Sequence, residues 1–268
     1  MLETILFILA VVVVFFILHK ITRSLIIFKV VFRLVSVAMI IIFAIILVIG
    51  LLVLNDANNF RNKFPSSTNL FLLEENNTIL SAVQMNNSDN TPFKVLNESM
   101  LATIDDDYSH NRISRIETGY YKVFVIDTKA FEDIEYNQIT DKNIDLSKAQ
   151  VLDILRSGNA KHELANIITG NNNILSKEVQ SQMNGMDNNG LKGYLFSYAM
   201  TYFFNPKNLD NFLVELKNGN ILVYEETPMF QAIRLVPGFL IKSALINQAS
   251  SVFNSTNIIN PAVDILAK

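Results

Sequence analysis

The amino-acid sequence predicts an α+β protein: an N-terminal transmembrane helical hairpin followed by an exocytoplasmic domain with antiparallel hairpins and segregated helices. Two long apolar runs, Ile5–Leu18 and Leu34–Leu54, fill most of the N-terminal segment 1–54. Farther along the chain, pairs of strand-like runs flank short turns, and helix signals lie between these pairs. Sheet hairpins with helices segregated from them are typical of the α+β class.

The second apolar run, Leu34–Leu54, is predicted to be a transmembrane helix. It contains no charged side chain. A helix needs about 20 predominantly apolar residues to cross the hydrocarbon core of a bilayer, and this run is long enough to do so. Core helices of globular proteins are rarely this long and this apolar on every side. The run therefore favours a membrane span over a buried core helix.

The first apolar run is shorter and is open to two interpretations. Ile5–Leu18 is too short for a full span, and even the longer stretch from Met1 to Leu18 is marginal. A signal peptide has an apolar region of similar length, but basic residues precede that region and small residues at a cleavage site follow it. Here Glu3 precedes the run, and a bulky, basic sequence follows it. We therefore expect a short first span over about residues 1–18.

The connector between the runs, residues 19–33, predicts the orientation of the chain. Basic residues close to a span favour the cytoplasmic side of the membrane. The segment 1–54 contains four Lys or Arg, and all four lie in the connector: Lys20, Arg23, Lys29 and Arg33. We expect a multi-pass protein of the cell membrane with residues 55–268 on the side opposite the cytoplasm. A chain with only the second span has the same orientation.

The four basic residues are also predicted to contact the membrane surface. On a helix with 100° between successive residues, they fall on one side together with other polar residues. A helix that lies at the inner interface would place these cations at anionic head groups. Long basic side chains that extend from helix ends towards water would explain the same pattern.

The chain is predicted to have four parts. Residues 1–54 form the membrane anchor, and residues 55–69, which are polar, form a juxtamembrane linker. Residues 70–248 form the α+β domain, and residues 249–268 form a polar tail.

Three hairpins are expected within the domain. Asn tolerates a positive φ, and Asn-Gly is the strongest short turn signal, so each proposed turn has a residue suited to it. The predicted strand pairs, with the turn residues between them, are Leu70–Glu75 and Thr78–Met85 around Asn76-Asn77, Arg112–Glu117 and Tyr120–Ile126 around Thr118-Gly119, and Phe212–Lys217 and Ile221–Glu226 around Asn218-Gly219. Three hairpins predict a mainly antiparallel sheet.

Helix signals lie between and after these hairpins. Ser147 and Gln150 have the spacing of a capping box, and Thr227-Pro228 has the order of an N-cap followed by a first helical residue. The predicted helices are 148–156, 161–168 ending at Gly170, 191–204 ending before Pro206, 228–235 and 239–248.

Composition excludes several classes of function. The segment 1–54 holds four of the 22 basic and one of the 25 acidic side chains, so the segment 55–268 carries 18 basic and 24 acidic ones, a net charge of −6. Without a basic stripe to neutralise phosphates, nucleic acid is not an expected partner. The chain has no cysteine, which excludes disulfides, thiolate catalysis and metal sites with cysteine ligands.

No assembled catalytic or cofactor motif is found, and no cofactor is expected. Asp105, Asp107 and Ser109 alternate like the start of a calcium-binding loop, and they are weak candidates for a metal site. The pattern then fails, because His110 occupies the glycine position and Glu117 falls one residue late. We expect no bound metal and interpret the segment as a solvated acidic turn.

Aromatic residues are concentrated in the predicted helix 191–204. They would line an apolar ligand pocket or form part of the core, and core is the commoner use of such residues. The aromatic residues are Tyr194, Phe196, Tyr198, Tyr202, Phe203 and Phe204.

The predicted function is that of a membrane-anchored binding or assembly module of the cell envelope, and an enzymatic activity is not favoured. Its expected partners are the lipid bilayer and either another envelope protein or a surface polymer. Two alternatives stay open. One is an envelope hydrolase that acts through two carboxylates, and the other is a domain that binds an apolar ligand or lipid.

Overall fold

The computed structural model describes residues 2–21, 26–86, 93–131, 139–141, 144–183, 185–203 and 209–235. The chain forms two compact units, Met1–Asn58 and Asn59–Lys268. The predicted helix 239–248, the polar tail 249–268 and the end of the predicted helix 191–204 at Phe204 lie outside the described residues.

The described secondary structure is mixed helix and sheet. The helices are α1 (Leu2–Ile21), α2 (Ile26–Lys63), α3 (Glu98–Ser109), α4 (Ile113–Ile116), α5 (Lys148–Arg156), α6 (Ala160–Thr169), α7 (Asn173–Gln182), α8 (Asn188–Phe203), α9 (Leu209–Asn218) and α10 (Pro228–Leu235). The strands are β1 (Asn69–Glu75), β2 (Thr78–Met85), β3 (Phe93–Val95), β4 (Val123–Asp127), β5 (Ile139–Asp141), β6 (Ile144–Leu146) and β7 (Ile221–Tyr224).

Helix α2 is long and apolar enough to cross a membrane. Among the described residues it is the one helix that meets this criterion, over Phe32–Ser66 with the turn that follows it, and its most apolar window has no buried side chain. The described apolar part of α1, Ala10–Lys20, is shorter. One membrane-spanning candidate near the N-terminus is therefore established by length and composition.

The polar segment after the apolar run begins as helix. Helix α2 continues to Lys63, and a short 3-10 helix, Phe64–Ser66, follows it. Residues 55–63 of the predicted linker are therefore helical. The second unit begins within this helix, at Asn59, and Phe64 is already completely buried.

The second unit contains a five-stranded sheet in the order β3-β2-β1-β4-β7. Three of its four ladders are antiparallel, whereas β1 and β4, at the centre, are parallel. The sheet is therefore mixed. Strands β5 and β6 form a separate antiparallel pair.

The first predicted hairpin is confirmed. Strands β1 and β2 pair antiparallel, and Glu75 lies opposite Thr78 across the turn. Asn76 and Asn77 both have positive φ, at 51° and 64°, as a two-residue hairpin turn of type I′ requires. The register shifts once, between Leu73 and Glu74, where the ladder contains a bulge.

The second predicted hairpin is wrong. Its first strand is replaced by the one-turn helix α4, and its second strand, β4, pairs in parallel with β1. Ile113 and Ile116 are three positions apart, which places them on the same side of a helix. Ile116 is buried in the core, so tertiary packing favours the helical period over the alternating one.

The third predicted hairpin is also wrong, because residues 212–217 belong to helix α9. A strand would place Phe212, Val214 and Leu216 on one face. In the helix Phe212 and Leu216 are buried, at 6% and 0% exposure, whereas Val214 is 52% exposed. The Asn218-Gly219 signal ends this helix, with Gly219 at a φ of 84°, and β7 then pairs antiparallel with β4.

Several helix signals are confirmed. Ser147 and Gln150 form both hydrogen bonds of the capping box that begins α5. Gly170 ends α6 in the left-handed conformation, at a φ of 59°. Pro228 begins α10 directly after Thr227.

The two faces of the sheet pack against different helices. On one face, residues of α3 and α4 cover a cluster that includes Leu70, Leu72, Val123 and Val125. On the other face, Phe71 and Phe124 stack with their ring centroids 4.8 Å apart. Rings that contact Phe124 from outside the sheet come from the 3-10 helix after α2, from α9 and from α10, and they are Phe64, Phe212 and Phe230.

Helix α8 approaches the edge strand β3 closely at Gly193. A Cβ atom added there would lie 2.6 Å from Cγ2 and 2.9 Å from Cβ of Val95, and closer still to its Cγ1. Alanine is favoured over glycine in a helix by about 1 kcal/mol when nothing is in the way. We expect Gly193→Ala instead to lower the free energy of unfolding by about 1–3 kcal/mol, because it overpacks this contact.

Thermal or urea unfolding of the detergent-solubilised chain, followed by circular dichroism, measures this effect. The double variant Gly193→Ala, Val95→Ala should lose less stability than the two single variants lose together, because the smaller side chain at position 95 makes room for the added methyl group. Gly158→Ala is the matched control, because no atom lies within 4 Å of the added methyl group. A Gly193→Ala variant as stable as the natural chain would show that the two elements do not meet in this way.

Candidate functional site

The parallel strands β1 and β4 end in acidic residues at the same edge of the sheet. Strand β1 ends with Glu74 and Glu75, and β4 ends with Asp127. The carboxyl ends of parallel strands are where α/β sheets commonly bind ligands. We define Glu74, Glu75 and Asp127 as the strand-end acids.

The pleat of the strands separates the three acids. Glu74 and Asp127 are register partners on neighbouring strands, so they lie on the same face with their backbones about 4.8 Å apart. Glu75 is the next residue along β1 and points to the opposite face. The pair on one face is therefore Glu74 and Asp127, and these two acids are far apart along the chain.

Glu75 is held by a guanidinium group. Arg156 of α5 donates from Nε to both carboxylate oxygens, at 2.8 and 3.1 Å, and its Nη2 lies 2.7 Å from Oε1. The Thr128 hydroxyl donates to the same carboxylate at 2.7 Å. The hydrogen bond from Arg156 lowers the pKa of Glu75, with the Thr128 hydroxyl acting in the same direction. Glu75 is therefore an ionised structural anchor for α5.

The other two acids accept hydrogen bonds from the turns that follow them. Asp127 accepts the backbone N–H of Lys129 at 2.9 Å, and the Lys129 ammonium lies 3.6 Å from its second oxygen. Glu74 accepts the backbone N–H of Asn77 in the hairpin turn. These contacts hold both carboxylates at the edge of the sheet and leave them partly exposed.

Two tyrosines lie close to this acidic pair. Burial raises the pKa of Tyr108, on α3, to about 12, and the negative charges of Glu74 and Asp127 act in the same direction. Burial is also the main cause of the raised pKa of Tyr224, on β7. Both phenols therefore keep their protons at neutral pH and can act as hydrogen-bond donors, but not as bases. The two phenols can donate hydrogen bonds to a polar group, and the two carboxylates beside them can attract a cationic one.

The weak metal candidates lie on a helix, so their interpretation as an acidic turn is wrong. The helix α3 begins after Asn97, whose side chain accepts the N–H of Met100. Residues two apart on a helix are about 200° apart around its axis, so Asp105, Asp107 and Ser109 do not converge on one point.

Each of these three residues contacts a group of the chain itself. Asp105 accepts the backbone N–H of Ile79 at 2.7 Å, and the Ser109 hydroxyl donates to the Asp106 carbonyl at 3.1 Å. Asp107 accepts from Nε of Arg112 at 2.6 Å. Within the part of the chain that the structure describes, no group of three or more His, Asp or Glu side chains is placed to hold a metal ion.

Two of the four basic residues predicted to contact the membrane surface have described side chains. Lys20 is in the last turn of α1, and Arg33 is in α2; both are exposed. The backbone of Lys29 belongs to the first turn of α2, and Arg23 lies outside the described residues.

Three aromatic residues of α8 belong to the core. Tyr194, Phe196 and Phe203 are buried. Phe131 packs edge-on against two of them, with centroid distances of 6.3 Å to Phe196 and 5.0 Å to Phe203. These aromatic side chains therefore stabilise the packing of α8 on the sheet. The side chains of Tyr202 and Phe204 lie outside the described set.

Helices α6 and α7 carry exposed apolar side chains near the turn that joins them. Ile174 is 80% exposed, and Leu175 and Ile168 are 48% and 40% exposed. All three lie within about one helical turn of the connection at Gly170. We call Ile168, Ile174 and Leu175 the α6–α7 apolar tip. Sequence reasoning did not identify α7, although Asn172 caps its first turn by accepting from Ile174 and Leu175.

Comparisons with protein-family models, with curated proteins and with solved structures find no match to this chain.

The Glu75–Arg156 ion pair makes stability depend on pH in a defined direction. We expect Glu75→Gln to lower the free energy of unfolding by about 1–2 kcal/mol at neutral pH, allowing for the partial exposure of both partners. The pKa of Glu75 is lowered by folding, so this stabilisation is fully present above the ordinary glutamate pKa of about 4.3. It is lost as the pH falls through the lowered value in the folded state.

Thermal unfolding of both proteins at about pH 7 and about pH 3 checks this expectation. The difference in melting temperature should be large at the higher pH and should shrink at the lower one. Glu178→Gln, at an exposed position of α7, is the control and should change little. An equal difference in melting temperature at both pH values would contradict stabilisation by the negative charge of Glu75.

Proposed function

We propose that this protein is a membrane-anchored exocytoplasmic domain that acts as a binding or assembly module of the cell envelope. The observation that carries the proposal is a pair of adjacent features in one chain. Helix α2 exposes an uncharged and almost entirely apolar surface over Leu34–Leu54, and a folded, aromatic core begins a few residues later at Phe60. The first feature fits a lipid environment, and the second fits an aqueous one.

The apolar surface of α2 favours insertion into a bilayer. Burial of one Val, Leu or Ile side chain contributes about 1.5–3 kcal/mol, and more than a dozen such side chains are exposed on this helix. An exposed apolar surface of this extent marks a site of contact with a membrane or a partner. A bilayer covers every side of such a helix at once, which fits the exposure around its whole circumference.

The chain between the apolar run and the folded core is short. Only the segment 55–59 separates Leu54 from Phe60, whose ring packs against Phe64 at 4.7 Å and Phe230 at 5.4 Å. A segment of this length spans at most about 20 Å even when fully extended. A domain on so short a tether stays next to the membrane, where an envelope partner is encountered.

The α6–α7 apolar tip is the surface through which we propose that the domain binds a partner. Exposed apolar side chains that cluster on a folded domain commonly mark a protein interaction site. Ile174 and Leu175 are at the start of a helix. Most other large apolar side chains among the described residues of this unit are buried, although Leu235 and Val214 are also exposed. The proposed partner is another protein of the envelope.

Orientation is the first testable part of this function. A reporter fused after Lys268 should be active outside the cytoplasm, because Lys20, Arg23, Lys29 and Arg33 supply the cationic bias near the apolar runs. Replacement of all four by Gln should weaken or invert that orientation. The control exchanges Lys for Arg and Arg for Lys at the same positions, which keeps the charge. A cytoplasmic reporter in the natural chain would refute the exocytoplasmic location.

Partner binding is the second testable part. A photo-crosslinking residue at position 174 should give a discrete protein product in intact cells, because this side chain is 80% exposed. The same probe at Thr103, an exposed polar position of a different helix, α3, is the control. Leu175→Asp should reduce the product from position 174 at least several-fold, because it places a charge in the tip. Equal products from both probe positions, or none, would contradict binding through the tip.

A further inference from the structure

A groove lies between α1 and α2 within the first unit. Its volume is about 480 Å³, and its lining is apolar except for His19 and Ser36. The apolar lining comes from both helices and includes Phe15 and Phe16 of α1 and Phe43 of α2. A groove of this size and composition is suited to a hydrocarbon chain.

The groove has one polar end and one apolar end. His19, in the last turn of α1, has its ring centroid 6.0 Å from that of Phe32, one turn before Ser36 in α2. Both polar lining residues therefore lie at the same end. Val11 and Ile46 line the groove farthest from them along α1 and α2. The distance from Val11 to His19 along the helix is about 12 Å.

Two cations flank the polar end. Lys20 is adjacent to His19 in α1, and Arg33 precedes Ser36 by less than one helical turn in α2. Both side chains are exposed. The Ser36 hydroxyl donates to the Phe32 carbonyl at 2.7 Å, so its proton is used within the helix. Among the described residues at this end, the His19 ring can donate a hydrogen bond to a negative group, and Lys20 and Arg33 supply the positive charge.

We propose that this groove binds an anionic glycerophospholipid, with an acyl chain along its apolar length and the head-group phosphate at Lys20 and Arg33. The inference rests on the proposed function, in which the chain is anchored in the membrane through α2, against which α1 forms the groove. Charge complementarity favours this occupant, because an apolar chain joined to a negative group matches both ends of the groove. A third apolar helix would match the lining but would not match the paired cations.

Native mass spectrometry of the full chain in detergent tests the proposal. Phosphatidylglycerol and phosphatidylcholine with the same acyl chains are added in parallel series, and the bound fraction is measured. Each basic residue near an anionic lipid surface strengthens binding about fivefold, so two predict a preference of about 25-fold for phosphatidylglycerol. Lys20→Gln with Arg33→Gln should remove most of that preference, whereas Lys20→Arg with Arg33→Lys should keep it.

A second pair of variants tests the groove itself. Ile40 lines the groove, and its neighbour Ile41 is exposed on α2 but does not line it. Ile40→Trp should fill the groove and lower the binding of both lipids, whereas Ile41→Trp should leave binding unchanged. Equal binding of the two lipids to the natural chain, or equal effects of the two tryptophans, would overturn the proposal. The proposal would also be overturned if the chain formed a dimer instead of the lipid complex and Ile40→Trp abolished that dimer, because a second copy would then occupy the groove.

The outcome is independent of the orientation and of the envelope partner, because the measurement is made in detergent. Failure of the lipid preference would therefore leave the reporter and crosslinking results intact. Failure of those experiments would likewise leave the lipid result intact.

Discussion

Burial of strand β1 on both faces is the constraint on which the folded domain depends. Leu70, Phe71, Leu72 and Leu73 are all completely buried. A strand with this property needs a neighbour on each edge and a covering layer on each face. The hairpin supplies β2 on one edge, and the parallel crossover supplies β4 on the other. The covering layers follow, with α3 and α4 on one face and the aromatic core on the other.

The same constraint creates the acidic edge of the sheet. Because β1 and β4 run in parallel and in register, the polar residues that end them meet at one edge. Glu75 then orders α5 through Arg156 on one face, whereas Glu74 and Asp127 lie near Tyr108 on the other. The proximity of these acids is therefore a consequence of strand pairing, and each carboxylate accepts hydrogen bonds from groups of the chain around it.

Features encoded by local sequence could be predicted, and features that depend on tertiary pairing could not. The Asn76-Asn77 turn and the Ser147 capping box are set by residues within a few positions of one another, and both are present. The helix α3 also has a local signal, because Asn97 is its N-cap. The acidic residues farther along this helix resemble the start of a calcium-binding loop, and that resemblance favoured a turn over a helix. The candidate membrane-spanning helix was evident from length and composition alone.

The wrong hairpins and the acidic edge have a different cause. An apolar residue at every second position, as in residues 212–217, fits a strand, and only burial of Phe212 and Leu216 against the sheet selects the helix. The register that brings Glu74 beside Asp127 joins segments on either side of α3 and α4. No short window of sequence specifies that pairing. The exposure of Ile174 likewise depends on how α6 and α7 pack.

Membrane insertion of α2 is the property on which the proposed function depends most directly. The chain has no cysteine, so single cysteines can be placed along α2 and spin-labelled in the reconstituted full-length protein. We expect labels at Ile41 and Leu47 to be accessible to oxygen and shielded from a water-soluble nickel complex, with the reverse at Asn58 and Arg61. High accessibility to the nickel complex at Ile41 and Leu47 would contradict a membrane-spanning α2.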